Sequence, residues 1–370
     1  MKILSRHFLG ENTSIAYPHG NGFTHGATHF VFCRSGAAGP RLLMCNLESS
    51  ATVELPAIPN ASEVPADAVI CFDAALNAPR LAALLGPVAW ILDLERGAEW
   101  RKVYSQPPDA KVQDLPSLSP DGRRLLLGED RPGSHSVVEI DVDSLRSRTL
   151  FSKNWHANHF HYCPHDPSWI GFAHEGPAEK IIDRCWVWHA TKAPEGRVVF
   201  DQYRTSDDPS RPLCIGHERW AFHDASAYVI AYAVSPVGKR GLYEMFADAR
   251  SPRLLWESNT VWHCNMDASG RIAVIDTTAP WDPVPVSGKA YEEGVARHLQ
   301  ADRDRTSNLS DIVVLDLQSR THLHVAEVVR TRHPYHPHPT LSPDGTWLAY
   351  TDAQPGKKGS WLLKLGHAHA

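Results

Sequence analysis

The string Leu-Ser-Pro-Asp-Gly occurs twice in this chain, at Leu118–Gly122 and at Leu341–Gly345. Each copy is followed by a β-rich run, RRLLLGED in the first case and TWLAYTD in the second. Proline sets one turn dihedral and glycine supplies the left-handed position, so the pair reads as a tight turn between two strands. Weaker copies are Met-Asp-Ala-Ser-Gly from Met266, CPHDPS from Cys163, FHDAS from Phe222 and FTHGA from Phe23, each again followed by a short apolar strand. A second β-run usually follows, such as VVEIDVD, RCWVWHA, GLYEMFA, DIVVLDL or WLLKL, and ends at polar turns such as Asp143-Ser144 and Gln318-Ser319.

Copies at intervals of roughly 40–75 residues have the spacing of four-stranded propeller blades with loop insertions. Six copies are visible, and the segment Ala66–Val103 is the right size for a seventh, although its turn signal is missing. The expected fold is therefore all-β, a seven-bladed β-propeller forming one domain over residues 1–370. The blades fall near 18–60, 62–104, 115–150, 158–202, 216–258, 262–326 and 336–366. A strand near Thr13–Tyr17 is expected to pair with the last blade, because closing the sheet series removes an exposed edge. The insertion 280–309, rich in proline, glycine and charge, reads as a disordered blade loop or as a lid.

Composition narrows the function. The net charge is −5 and no basic face is evident, which argues against nucleic acid or an anionic membrane as partner. Seven scattered cysteines without a Cys-x-x-Cys pair fit reduced thiols in a cytoplasmic protein. The first residues lack the apolar core of a signal peptide, and no stretch approaches the ~20 apolar residues of a membrane span.

Histidine is the informative residue, with 22 in the chain. In Arg332-His333-Pro334-Tyr335-His336-Pro337-His338-Pro339 the prolines hold the backbone extended, so His336 and His338 project to the same side. Measured against the turns, His338 lies six residues before Asp344 and His263 six before Ser269. His161 lies six before Pro167, with His159 two earlier, and His217 lies seven before Asp224, one out of register. Equivalent places in successive propeller blades converge, which gathers imidazoles that are distant in sequence. A polar channel lined with hydrated histidines is the plain alternative for any one of them. Several imidazoles at one register suit a divalent transition ion: manganese, zinc, nickel, iron or cobalt. His217, in Gly-His-Glu-Arg-Trp, is a candidate general base. Arg184, in Ile-Asp-Arg-Cys-Trp, is either a two-point binder of a carboxylate or half of a structural ion pair with Asp183 or Glu175. No nucleophile elbow and no phosphate loop is present.

Five stretches together resemble the oligogalacturonate lyases of polysaccharide lyase family 22, which are seven-bladed propellers. They are Phe172-Ala173-His174-Glu175-Gly176-Pro177, Ile182-Asp183-Arg184-Cys185-Trp186, Gly216-His217-Glu218, Trp262-His263-Cys264, and His336-Pro337-His338-Pro339 before Ser-Pro-Asp-Gly. The resemblance runs over residues ~110–365 in the family's order and is faint before that. It implies a manganese site held by His263, His336 and His338, with His333 standing where the family has glutamine. It implies His217 as the base, Arg184 on the substrate carboxylate, and His174, Glu175 and His159 as substrate contacts. The implied reaction is β-elimination on a short acidic oligosaccharide, giving a 4,5-unsaturated uronyl end. Two other readings stand beside it: a lyase for a glucuronate- or iduronate-type glycan, and a non-catalytic propeller that binds a sugar or a protein. The oligomeric state is not legible.

Overall fold

The structure is a computed structural model. It describes all residues except 18, 38, 62–69, 96–98, 209, 233–234, 236–237, 249, 279–280, 282–308, 332 and 367–370. It is a seven-bladed β-propeller, as the repeated turns imply. The insertion at 280–309 falls almost wholly outside the described residues.

Seven antiparallel sheets follow one another along the chain. Blade 1 is built from Thr13–Ser14, His29–Arg34, Arg41–Asn46 and Thr52–Glu54. Blade 2 runs Cys71–Ala74, Arg80–Leu85, Val88–Asp93 and Arg101–Ser105. In blade 3 two short strands, Lys111–Val112 and Ser117–Leu118, both pair with Arg124–Arg131, and Ser134–Asp141 and Ser147–Lys153 follow. Blade 4 comprises Ala157–Tyr162, Ile170–His174, Cys185–His189 and Ala193–Val198. Blade 5 comprises Ile215–Trp220, Ser226–Ala231, Gly241–Phe246 and Arg253–Glu257. Blade 6 comprises Val261–Met266, Ile272–Thr277, Leu309–Asp316 and Thr321–Val329. Blade 7 takes Thr340–Leu341, Trp347–Asp352 and Gly359–Gly366, and its fourth strand is the N-terminal Lys2–Glu11.

That last pairing corrects one expectation. The residues that join the final sheet are Lys2–Glu11, while Thr13–Ser14 opens blade 1 against Cys33 and Arg34. An outermost strand is half exposed and needs little apolar alternation, so KILSRHFLGE carries a weak strand signal. The strand is anchored by the Phe8–Trp361 ring contact, with centroids 5.0 Å apart. Blade 2 also has the turn that its sequence hides: the Ala75 amide donates to the Arg80 carbonyl, the spacing seen at the Ser-Pro-Asp-Gly turns, but without Asp-Gly.

Contacts divide the chain into two compact units. One is Met1–Leu9, Gly176–Trp186 and Val198–Ala370; the other is Gly10–Glu175 with Val187–Arg197. In each the core lies between consecutive sheets. Val31, Leu42, Phe72, Leu81 and Ala83 fill the space between blades 1 and 2. Tyr228, Ile230 and Leu242 pack on Val261, Ile275 and Val313 between blades 5 and 6. Because sheet packs on sheet, the middle strands are buried on both faces, and they carry continuous apolar runs such as IAVI at Ile272–Ile275 and IVVL at Ile312–Leu315. None of the seven cysteines is in a disulfide. Among the described residues no helix is long and apolar enough to cross a membrane.

Candidate metal centre and catalytic histidine

In blades 4 to 7 the first strand runs into a hairpin, and the hairpin provides the true register. The residue opening it donates its amide across the turn: Cys163 to Trp169, Ala221 to Ser226, Asp267 to Ile272 and Ser342 to Trp347. Four residues before each of these stand His159, His217, His263 and His338. His217 is thus in register, and the expected one-residue offset came from counting to Asp224. In blade 4 the register position belongs to His159, not to His161. The turn there is one residue longer, which shifts any count made from Pro167.

At this position in blades 4 to 6 the ladder is broken by a bulge, with two residues on the first strand set against one on its partner. The paired residues are Asn158↔Ala173 and His161↔Gly171, Gly216↔Ile230 and Arg219↔Tyr228, and Val261↔Thr277 and Cys264↔Ile275. The bulge frees a side chain from the ladder and re-aims it. His159, His217 and His338 take left-handed backbone conformations there, with φ of 59°, 56° and 41°. Such values are costly for a non-glycine residue, and they cluster where function needs a side chain in one direction.

The bulges of blades 5 and 6 and the left-handed turn at His338 in blade 7 bring the imidazoles together. The His217 and His263 ring centroids are 4.0 Å apart, and His263 lies 4.4 Å from His338 and 4.7 Å from His336. His336 and His338 stack at 4.7 Å with 22° between planes, although the backbone is not the extended strand the prolines imply: His336 lies in a bend and His338 is left-handed. His263, His336 and His338 each offer a ring nitrogen within 4.8 Å of the other two. His333 stands beside them, exposed, 4.7 Å from the His338 ring.

The donors are in the state a cation requires. Burial, reinforced by the neighbouring imidazoles, pushes His263 and His338 well below the ordinary histidine range. Burial also takes His336 down to about 4. These imidazoles are therefore neutral at pH 7 and present lone pairs. The Nδ1 atom of His336 is buried with no hydrogen-bond partner, a cost that a bound cation would relieve. The chemistry of the group thus fits a divalent transition ion.

A residue the sequence did not point to completes the group. Asp276, fully buried on the neighbouring strand, receives Nδ1 of His263 at 2.8 and 2.9 Å and the His263 backbone amide at 2.7 Å. The backbone amide of His338 also bonds to it. A carboxylate on Nδ1 fixes the tautomer and turns Nε2 toward the other histidines. Its only sequence signal is an aspartate in an otherwise apolar run, Ile272–Thr277.

His217 Nδ1 lies 2.7 Å from the Trp262 carbonyl. A carbonyl only accepts, so Nδ1 carries the proton and Nε2 is the basic nitrogen. Burial pushes its pKa down to about 4, with Arg184 adding to the fall. The Arg184 Nε lies 3.6 Å from Glu218 Oε2, both side chains being buried. Glu218 is a partner that sequence reading did not name. Arg184 is held from behind as well: Gln202 accepts its amide and donates to the carbonyls of Ile181 and Leu213. A side chain on Gly216 would meet the Tyr232 hydroxyl and come within 3.1 Å of Arg184 Nε, so glycine is what allows Arg184, Tyr232 and His217 to crowd together. The Tyr232 ring stands edge-on to His217 at 5.3 Å.

The other expected contacts lie in the second compact unit. His159 Nε2 is 3.8 Å from Glu175 Oε2, and His174 packs on Trp155 at 4.4 Å. His159 is also flanked by His19 at 4.4 Å and Tyr17 at 6.0 Å. Neither was singled out from the sequence, where both sit in a loop without a recognisable motif.

No family model matches the chain. Among curated proteins it is 22% identical over 242 residues to the oligogalacturonate lyase of Dickeya dadantii (strain 3937), covering 62% of this chain and 55% of that one. By sequence the chain is thus similar, at low identity, to an oligogalacturonate lyase. The match spans about half the length of that relative. Among solved structures, an oligogalacturonate lyase in complex with manganese superposes with a TM-score of 0.74 at 17% identity, covering 96% of this chain and 91% of that one. The oligogalacturonate lyase of Vibrio parahaemolyticus gives 0.75 at 14% identity, covering 99% and 94%. At these identities the structural likeness establishes the shared fold, and function has to be argued from the site.

Proposed function

We propose that this protein is a divalent-metal-dependent lyase that cleaves short uronate-containing oligosaccharides, of the oligogalacturonate kind, by β-elimination. The observation that carries the reading is the pairing of His217 with the three-histidine group. A neutral imidazole, its basic Nε2 fixed by the Trp262 carbonyl, lies against a set of nitrogen donors suited to a cation. His263, His336 and His338 would hold the ion, with His333 beside them. Manganese is the first candidate, as in the solved lyase complex, and the bound ion would polarise the substrate carboxylate as a Lewis acid.

The residues supply the rest. Arg184, oriented by Glu218 and Gln202, would take the carboxylate of the reacting uronate through its planar fork. Drawing charge into that carboxylate acidifies the adjacent C5–H. The Nε2 of His217 would accept this proton. The C5–H electron pair becomes the C4=C5 double bond as the C4–O bond breaks. The departing oxygen is then protonated, by solvent or by the imidazolium just formed. In this reading His159, Glu175 and His174 contact the sugar, and the setting is cytoplasmic.

The test is a panel of oligogalacturonides, glucuronan and ulvan-type oligomers, followed by the ultraviolet absorbance of the unsaturated product with and without chelator. Metal-dependent growth of that absorbance on oligogalacturonides supports the proposal. Growth only on a glucuronate or iduronate substrate would move the specificity but keep the chemistry. No product from any uronide, with the protein free of metal as purified, would favour a non-catalytic binding propeller.

A further inference from the structure

We infer that Asp130, His135 and His156 form a second binding site for a divalent transition cation, separate in its ligands from the histidine group above. Each offers one ligand atom, and the three atoms lie within 4.8 Å of one another. Asp130 and His135 face each other across the hairpin of blade 3, paired in register, with Asp130 Oδ1 2.6 Å from His135 Nδ1. His156 precedes the first strand of blade 4, and its ring centroid lies 5.1 Å from that of His135.

The arrangement is built rather than incidental. Gln113, buried in the layer beneath, donates its side-chain amide to Asp130 Oδ1 at 2.8 Å and to the Ala157 carbonyl at 2.9 Å. One side chain therefore ties the strand of Asp130 to the residue next to His156, and fixes the spacing between the carboxylate and the second imidazole. Two imidazoles and one carboxylate, with no thiolate, are a donor set for zinc, nickel, cobalt or iron. Asp130 and His135 are half-buried and His156 is exposed, so a bound ion would keep coordination positions open to water or to a carboxylate-bearing ligand. The site also adjoins expected sugar contacts: the His156 carbonyl accepts the amide of Glu175 at 2.8 Å.

The test uses the full chain, stripped with chelator, dialysed against Zn2+ and assayed by elemental analysis, as wild type and as His135→Ala, His156→Ala and His338→Ala. Both His135→Ala and His156→Ala should bind one zinc fewer than wild type, and Asp130→Asn should weaken that zinc about tenfold or more. His338→Ala should keep it. The expectation holds whether or not the central group binds zinc, so failure of the lyase reading is distinguishable. His156 is exposed, so His156→Ala should melt as wild type does, which separates lost ligation from lost folding. Wild-type zinc content in both His135→Ala and His156→Ala would overturn the inference.

Discussion

Asp276 and His263 face each other from adjacent strands of blade 6, carboxylate to imidazole Nδ1 at 2.8 and 2.9 Å, with the aspartate wholly buried. The carboxylate also holds the backbone amides of His263 and His338, so one side chain sets the position of two candidate ligands. Asp276→Asn keeps the volume but weakens acceptance from Nδ1. It should lower affinity for Mn2+ or Zn2+ about 10- to 100-fold, with a smaller loss of rate once metal saturates. Metal titration by calorimetry, run beside kinetics at high metal, separates this positioning role from a direct role in the chemistry.

Arg184 shares a buried pair with Glu218, and this decides which substitution is informative. Arg184→Ala would strand the Glu218 charge and cost roughly 3–5 kcal/mol of stability, so lost activity would prove little. Arg184→Lys keeps the charge and loses the fork. Its melting temperature should stay near wild type while kcat/KM on a uronide falls by about tenfold or more. Unchanged kcat/KM would remove Arg184 from substrate binding.

Gly216 tests the crowding around the base. A methyl group there meets Tyr232 and Arg184 Nε. Overpacking of this kind costs about 1–3 kcal/mol. Gly216→Ala should lower both the denaturation midpoint and the turnover, and Tyr232→Phe should restore part of the loss, because the closest approach is to the hydroxyl oxygen while the ring carbon and Arg184 Nε stay at 3.0 and 3.1 Å.

The depressed histidines make a definite demand on acid stability. In the metal-free protein His217, His263, His336 and His338 stay neutral well below their ordinary value of 6.5, through burial first. As pH falls from 6.5 toward 4 the unfolded chain takes up protons that the native group refuses. Stability therefore falls with pH across that window, by about 1.4 kcal/mol per pH unit for each proton involved. Denaturant titrations between pH 7 and 4 should show this slope, and His336→Gln should reduce it.

Much of this was legible in the sequence because a propeller repeats its turn. Ser-Pro-Asp-Gly and its variants marked the hairpins, and His336-Pro-His338 showed that two imidazoles share one side. The count to the turn nevertheless misplaced His217, because Asp224 is not the equivalent of Asp344 in a turn of the same length, and put His161 rather than His159 at the common position, because the blade-4 turn is one residue longer and Pro167 stands four residues past its opening. Only the cross-hairpin hydrogen bonds reveal the common position. Asp276, Glu218 and Gln202 were illegible for another reason. Each acts through a partner 13 to 34 residues away in the chain, and a buried polar residue in an apolar strand does not announce what it holds. His19 and Tyr17 reach His159 from a loop whose path no periodicity encodes.

The central claim is that the neutral His217, set against the histidine group, removes the C5 proton of a uronate. The most direct measurement compares wild type with His217→Ala, both loaded with Mn2+ and checked for metal content, by the absorbance of the unsaturated product on oligogalacturonides. The account predicts full metal content in both and a fall in kcat of about 10²-fold or more in the variant. A His217→Ala protein that keeps its metal and turns over at the wild-type rate would contradict it.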